Sequence, residues 1–141
     1  RLNKIKGPDL LLKAFSIISK DYPDYLLIFA GKDEGMEGDL KNLIDGFNLN
    51  NRVKFIGFVQ GKSKSQLFHA ADLLVIPSRI EAMSIVVLES AITGTPVLMT
   101  NTCGLSTPLL RLSLFSEGRS PFHSQTLGKE PRKAVGGLRS H

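Results

Sequence analysis

The chain has 141 residues, 42% of them hydrophobic, a mean hydropathy of +0.02 and a formal charge of +5, which describes one globular domain of ordinary size. No apolar run approaches the roughly 18 residues of a membrane span, the opening RLNKIKGPD has no apolar signal segment, and the single Cys103 excludes an internal disulfide, so a reducing, cytoplasmic setting is the default. The charge excess is local: residues 1–105 carry 12 Lys+Arg against 11 Asp+Glu, and residues 106–141 carry 6 against 2, so no nucleic-acid surface is expected on the main part.

Pro8 suits the first position of a helix and opens one to about Lys20, with Leu11, Ala14, Phe15 and Ile18 on one face and the turn residues Asp21 to Asp24 closing it. Tyr25 to Ala30 is a continuous apolar run stopped by Gly31, the pattern of a strand buried on both faces. A helix follows from about Glu37 to Phe47, then a strand from Val53 to Gly57. Ser63, a good cap, opens a short helix to Ala70. A third strand spans Leu73 to Ile76, a fourth helix Ala82 to Thr93, and a fourth strand Pro96 to Thr100. Strands alternating with helices predict an α/β fold with a parallel, Rossmann-like sheet and right-handed crossovers. In such sheets ligands bind beyond the carboxyl ends of the strands, which selects the loops 31–35, 57–62, 77–81 and 101–104. Residues 106–141, with scattered Ser, Pro, Gly and Arg, are expected to form an irregular, disordered or frame-altered tail, in which only Leu109 to Phe115 is apolar enough to pack.

The segment from Pro77 to Glu89 reads PSRIEAMSIVVLE, two glutamates eight positions apart at a strand-to-helix passage. A helix N-terminus offers free N–H groups and partial positive charge to a phosphate. On a continuous helix the two carboxylates would lie about 12 Å apart along the axis and about 80° apart around it. Two acids so placed could hold different parts of one elongated ligand. Each also has an ordinary explanation: Glu81 as an acid complementing the helix dipole, and Glu89 as a solvent-facing residue at the helix edge.

Several elements in register carry a resemblance: Arg1-Leu2 with Lys6-Gly7; Ala30-Gly31; Arg52-Val53 with Phe55, Gly57 and Phe58; Ala71-Asp72 with Pro77-Ser78; Glu81 and Glu89; Gly94-Thr95-Pro96-Val97; and Gly104. Over about residues 1–105 the chain resembles the C-terminal, nucleotide-sugar-binding half of a retaining glycosyltransferase of the GT-B fold, of the family 4 or group 1 type. That resemblance implies a donor substrate that is a nucleoside-diphosphate sugar, with no further cofactor and no metal. By resemblance Arg1 and Lys6 are the cations that hold the donor diphosphate, where charge develops as the glycosidic bond breaks. Glu81, the catalytic candidate, matches the glutamate that reaches donor-sugar hydroxyls, and the backbone N–H groups of Met83, Ser84 and Ile85 would face sugar or phosphate. Glu89 would accept from the vicinal hydroxyls of the ribose. Its helix is apolar nearly all round, so an unpartnered carboxylate there would be costly. Phe58 and Val59 would lie near the nucleobase.

The sequence also departs from the pattern. Ala82 stands where the family usually has glycine, no strand precedes Arg1, and the usual continuation does not follow Gly104. The resemblance thus implies the donor side of a hexosyltransferase with a hydroxyl acceptor, inactive alone without its N-terminal acceptor domain; a non-catalytic nucleotide-binding module and an inactive truncated product are the alternatives. The lack of an apolar span leaves room for peripheral membrane association of the parent protein.

Overall fold

In the computed structural model, which describes residues 1–82 and 84–102, a short 3-10 turn at Lys4–Lys6 leads directly into α1, Pro8–Ile18. Then follow β1 (Leu27–Ala30), α2 (Glu37–Gly46), β2 (Val53–Gly57), α3 (Gly61–Ala70), β3 (Leu74–Ile76), α4 (Ile85–Thr93) and β4 (Val97–Met99). The α/β alternation read from the sequence is present, and both strand pairings are parallel. The 106–141 tail, Cys103, Gly104 and Met83 lie outside the described residues.

The main core forms around α1, β1, α2 and β2. Pro8, Leu12 and Phe15 recur at helical spacing and bury one face of α1, while Leu40 and Ile44 do the same for α2. These meet Leu2, Phe29, Met36, Leu49 and Val53 in one cluster in which Leu12 and Leu40 are wholly shielded from solvent. Phe29 and Phe55 stack across the β1–β2 pair with ring centroids 5.3 Å apart. The turn after α1 is held by Arg52, whose guanidinium donates to the carbonyls of Tyr25 (2.8 Å) and Tyr22 (2.6 Å). A smaller cluster sits between α3 and α4, where Phe68 and Val87 are buried. There Thr95 Oγ1 donates to the Phe68 carbonyl (2.7 Å) and Ser90 Oγ to the Thr95 carbonyl (2.9 Å).

The strands do not form one sheet. β1 pairs with β2 and β3 with β4, giving two separate two-stranded sheets. The N-terminal residues reach both: Leu2 N donates to Lys32 O and Glu34 N to Leu2 O beyond the end of β1, while Arg79 N donates to Ile5 O beyond the end of β3. The expectation that Tyr25 to Ala30 is a strand buried on both faces is corrected accordingly: β1 starts at Leu27, and in it only Phe29 is buried while Ala30 is exposed. β3 is half-buried throughout and β4 is half-buried or exposed, because a two-stranded sheet covers few of its own faces.

Two helix starts also differ from expectation. α3 begins at Gly61 rather than Ser63, and its N-cap residue, Gln60, makes no side-chain cap bond. α4 begins at Ile85 rather than Ala82, because Ser84 has extended backbone angles (φ −106°, ψ 103°). Nor is α4 enclosed: Val87 and Ser90 are buried, but Ile85 and Ile92 are 67% and 87% exposed. The described helices include none long and apolar enough to cross a membrane.

Candidate functional site

The carboxyl ends of β1 and β3 are brought together by the chain that precedes α1. Asn3 caps the 3-10 turn by accepting from Lys6 N (3.1 Å), and the turn closes at Gly7 in the left-handed region, φ 65°. This places Lys6 against the loop that follows β3. Its Nζ donates to Glu81 Oε2, joining residues 75 positions apart. Ser78, almost wholly buried, approaches the same oxygen at 3.5 Å through its hydroxyl. The Ser78 carbonyl in turn accepts from Thr100 (2.6 Å) and Thr102 (2.7 Å), which tie the loop after β3 to the loop after β4.

The later start of α4 changes what Glu81 is. It sits four residues ahead of the helix, and the first turn of α4 contains no acid, so it is not a residue of the helix complementing its dipole. The helical separation expected between Glu81 and Glu89 does not apply, since the intervening backbone is not continuous helix. Glu89 is on α4, with its side chain 37% exposed.

Glu89 has a partner that the sequence did not suggest. Lys64 of α3 brings its Nζ to 2.5 Å from Glu89 Oε2. That oxygen is shielded from solvent and makes no hydrogen bond, so the contact is one of charge without hydrogen-bond alignment. The expectation that an unpartnered carboxylate on this helix would be costly is met by a protein partner: the Lys64 ammonium offsets much of the burial cost.

The remaining candidates are dispersed around these two acids. Arg1 lies near Glu34, NH1 to Oε1 at 3.6 Å, with a largely exposed guanidinium. Ser84 is buried at the N-cap of α4 without a side-chain cap bond, and Ile85 is exposed at the first turn. Phe58 is 71% exposed just beyond β2, followed by half-buried Val59. Met83 lies outside the described residues. A shallow concavity of about 300 Å³ lined by Lys41, Ile44, Asp45, Asn50, Val53 and Phe55 shares no residue with this group.

A further ion-pair cluster adjoins the site. Arg79 donates through NH1 to Asp9 Oδ1 (2.9 Å) and through NH2 to Asp9 Oδ2 (2.8 Å), and Lys4 Nζ donates to Asp9 Oδ2 (3.2 Å). Asp9 itself is buried. The Arg79 hydrogen bonds, opposed by burial and reinforced by Lys4, hold its carboxyl well below the usual carboxylate range. With the folded-state pKa depressed, the pair stabilises the fold fully above the unfolded value near 4, and that contribution fades as pH falls below it. Replacing Asp9 by Asn should cost about 2 kcal/mol at pH 7 and much less at pH 2. Urea unfolding of both chains at the two pH values measures the difference; Asp33, also lowered by backbone N–H groups led by that of Met36, cancels between them.

Residues 1–107 match the family model described as "Glycosyl transferases group 1". The chain is 31% identical over 137 residues to mannosylfructose-phosphate synthase of Agrobacterium fabrum, covering 91% of this chain and 30% of that protein. Among solved structures it superposes on WaaG, a glycosyltransferase involved in lipopolysaccharide biosynthesis, with a TM-score of 0.67, 30% identity, and coverage of 76% of this chain and 28% of that one. Against Anabaena Alr3699/HepE, solved in complex with UDP-glucose, the TM-score is 0.64 at 32% identity, over 74% of this chain and 29% of that one. The chain thus spans under a third of the length of these proteins.

Proposed function

The chain belongs to the glycosyl transferases group 1 family, and from that premise we propose that it is the donor-binding part of a retaining glycosyltransferase that moves a hexose from a nucleoside-diphosphate sugar to a hydroxyl acceptor. The observation that carries this reading is the meeting of Lys6 and Glu81 at the carboxyl ends of the strands, from opposite ends of the folded segment.

The Lys6 ammonium and the Glu81 carboxylate satisfy each other. A donor offers each of them a substitute: diphosphate oxygens accept from Lys6, and sugar hydroxyls donate to Glu81. The backbone N–H groups of Ser84 and Ile85, at the start of α4, add donors for the same anion. As the glycosidic bond breaks, charge accumulates on the departing diphosphate, and Lys6, with Arg1, stabilises that charge in place of a metal. Glu89, paired with Lys64 yet with its side chain 37% exposed, accepts the ribose hydroxyls. Exposed Phe58 and neighbouring Val59 offer an apolar face to the base. Acceptor positioning falls to another domain of the parent protein. Proximity there is worth many orders of magnitude in rate, so this part alone binds donor without turnover.

Calorimetric titration with UDP, UDP-glucose and uridine tests the reading. Lys6→Ala is expected to weaken UDP and UDP-glucose by about tenfold or more, the worth of one charge-assisted contact, while leaving uridine nearly unchanged. An equal loss for UDP and uridine would refute the diphosphate role.

A further inference from the structure

The cluster of Asp9, Arg79 and Lys4 has no part in holding the donor as described above, yet its Arg79 bonds join the two segments that do. Asp9 lies three residues from Lys6 and Arg79 two residues from Glu81. Besides the two-pronged contact with Asp9, Arg79 NH1 donates to the Lys4 carbonyl (2.6 Å), and its backbone N to the Ile5 carbonyl (2.7 Å). The Arg79 side chain therefore grips both the 3-10 turn and the first turn of α1, from a loop 70 residues away.

That grip has a mechanical purpose that the sheets do not serve. β1 and β3 belong to different sheets, so no strand ladder sets the spacing of the loops at their carboxyl ends. Lys6 and Glu81 are long side chains that lose rotamer freedom when held. A rigid, two-pronged guanidinium–carboxylate contact is better suited to defining a distance than a single ammonium contact. We propose that Asp9 and Arg79 are a positioning pair, which sets the separation of Lys6 from Glu81 and so the geometry in which a nucleoside-diphosphate sugar is received. This rests on the donor-binding reading of Lys6 and Glu81.

Two measurements on the full chain test it. The first needs no ligand: a double-mutant cycle over Lys6→Met and Glu81→Gln, read by urea unfolding, gives their coupling, and is repeated with Arg79→Lys, which keeps the charge and loses the two-pronged geometry. The coupling is expected to disappear in the Arg79→Lys background, and a coupling that persists there overturns the proposal even if overall stability falls. If Arg79→Lys does not fold, Asp9→Asn is substituted and the same criterion applies.

The second measurement is calorimetry with UDP and with uridine. Arg79→Lys should weaken UDP by about tenfold, as misplaced binding groups do, and leave uridine within about twofold. Equal weakening of the two, or none, overturns the proposal. Absence of UDP binding by the parent chain, with the coupling still dependent on Arg79, would overturn the donor reading and leave the positioning of Lys6 by Asp9 and Arg79 standing.

Discussion

Gly7→Ala is expected to lower stability by about 3 kcal/mol and UDP affinity by about 100-fold, although it adds a single methyl group and removes no polar contact. Gly7 has φ +65°, and a Cβ built there would lie 2.1 Å from the Pro77 carbonyl oxygen, a backbone atom. The left-handed conformation costs an L-residue about 1–2 kcal/mol. The clash adds to this, because relief requires the turn carrying Lys6 to move away from the loop carrying Glu81. Either displacement pulls on the bonds between Arg79 and Asp9 and separates the two donor contacts. Gly94→Ala is the control: its φ is +75°, but nothing lies within 4 Å of the added Cβ. It should cost about 1 kcal/mol and leave UDP binding alone. Urea unfolding and calorimetry on the two variants separate strain from displacement; equal effects would show that the close approach at Pro77 is unimportant.

Glu89→Ala should remove nucleoside-diphosphate binding by about 100-fold or more while α4 stays helical. Two hydrogen bonds from hydroxyls to a carboxylate are worth about 1.5–3 kcal/mol each. The effect on folding should be small, at most about 1 kcal/mol, since the partner Lys64 and Glu89 itself are both partly exposed and such pairs contribute little. Ala is also a better helix former. Calorimetry with UDP, alongside circular dichroism, decides the matter, and unchanged affinity would remove the ribose role. Lys64→Met sharpens the result: if Lys64 serves only to neutralise Glu89, UDP binding should change by less than about threefold, because the ribose hydroxyls are neutral.

The parts of the fold legible in the sequence were those with a strong local period. α1 and α2 announce themselves through helical periodicity, and β2 runs over the same five residues that its composition suggests. The face expected of α1 is corrected: Phe15 is buried as expected, Leu12 is buried in place of its neighbour Leu11, and Ala14 and Ile18 are exposed. The start of α4 was misread because Ala82 to Ser84 contains no glycine or proline to mark a break before the helix, and composition does not reveal that Ser84 is extended. The burial of the Tyr25 to Ala30 strand was overestimated for a related reason: an apolar run indicates what a strand would bury, not how many neighbours it has.

The candidate site divides along the same line. Glu81 and Glu89 stood out from their spacing at a strand-to-helix passage and Lys6 only through the family resemblance, and the family membership of residues 1–107 agrees with the resemblance those positions carried. Lys64 did not stand out, since a lysine on a polar helix reads as a solvated charge, and Asp9 and Arg79 read as an ordinary first-turn acid and a loop cation.

By itself, then, the sequence determined the alternation of helix and strand, the placement of the loops at the strand ends and the family of the chain, because each of these is written in short-range pattern. Only the tertiary structure decided that Lys6 pairs with Glu81, Lys64 with Glu89, and Arg79 with Asp9. These pairs span 75, 25 and 70 residues, and no spacing rule connects charges that far apart. They meet because packing of α1 and its preceding turn against the loop after β3, and of α3 against α4, leaves each of these carboxylates at least one cation within reach, and burial makes that pairing favourable.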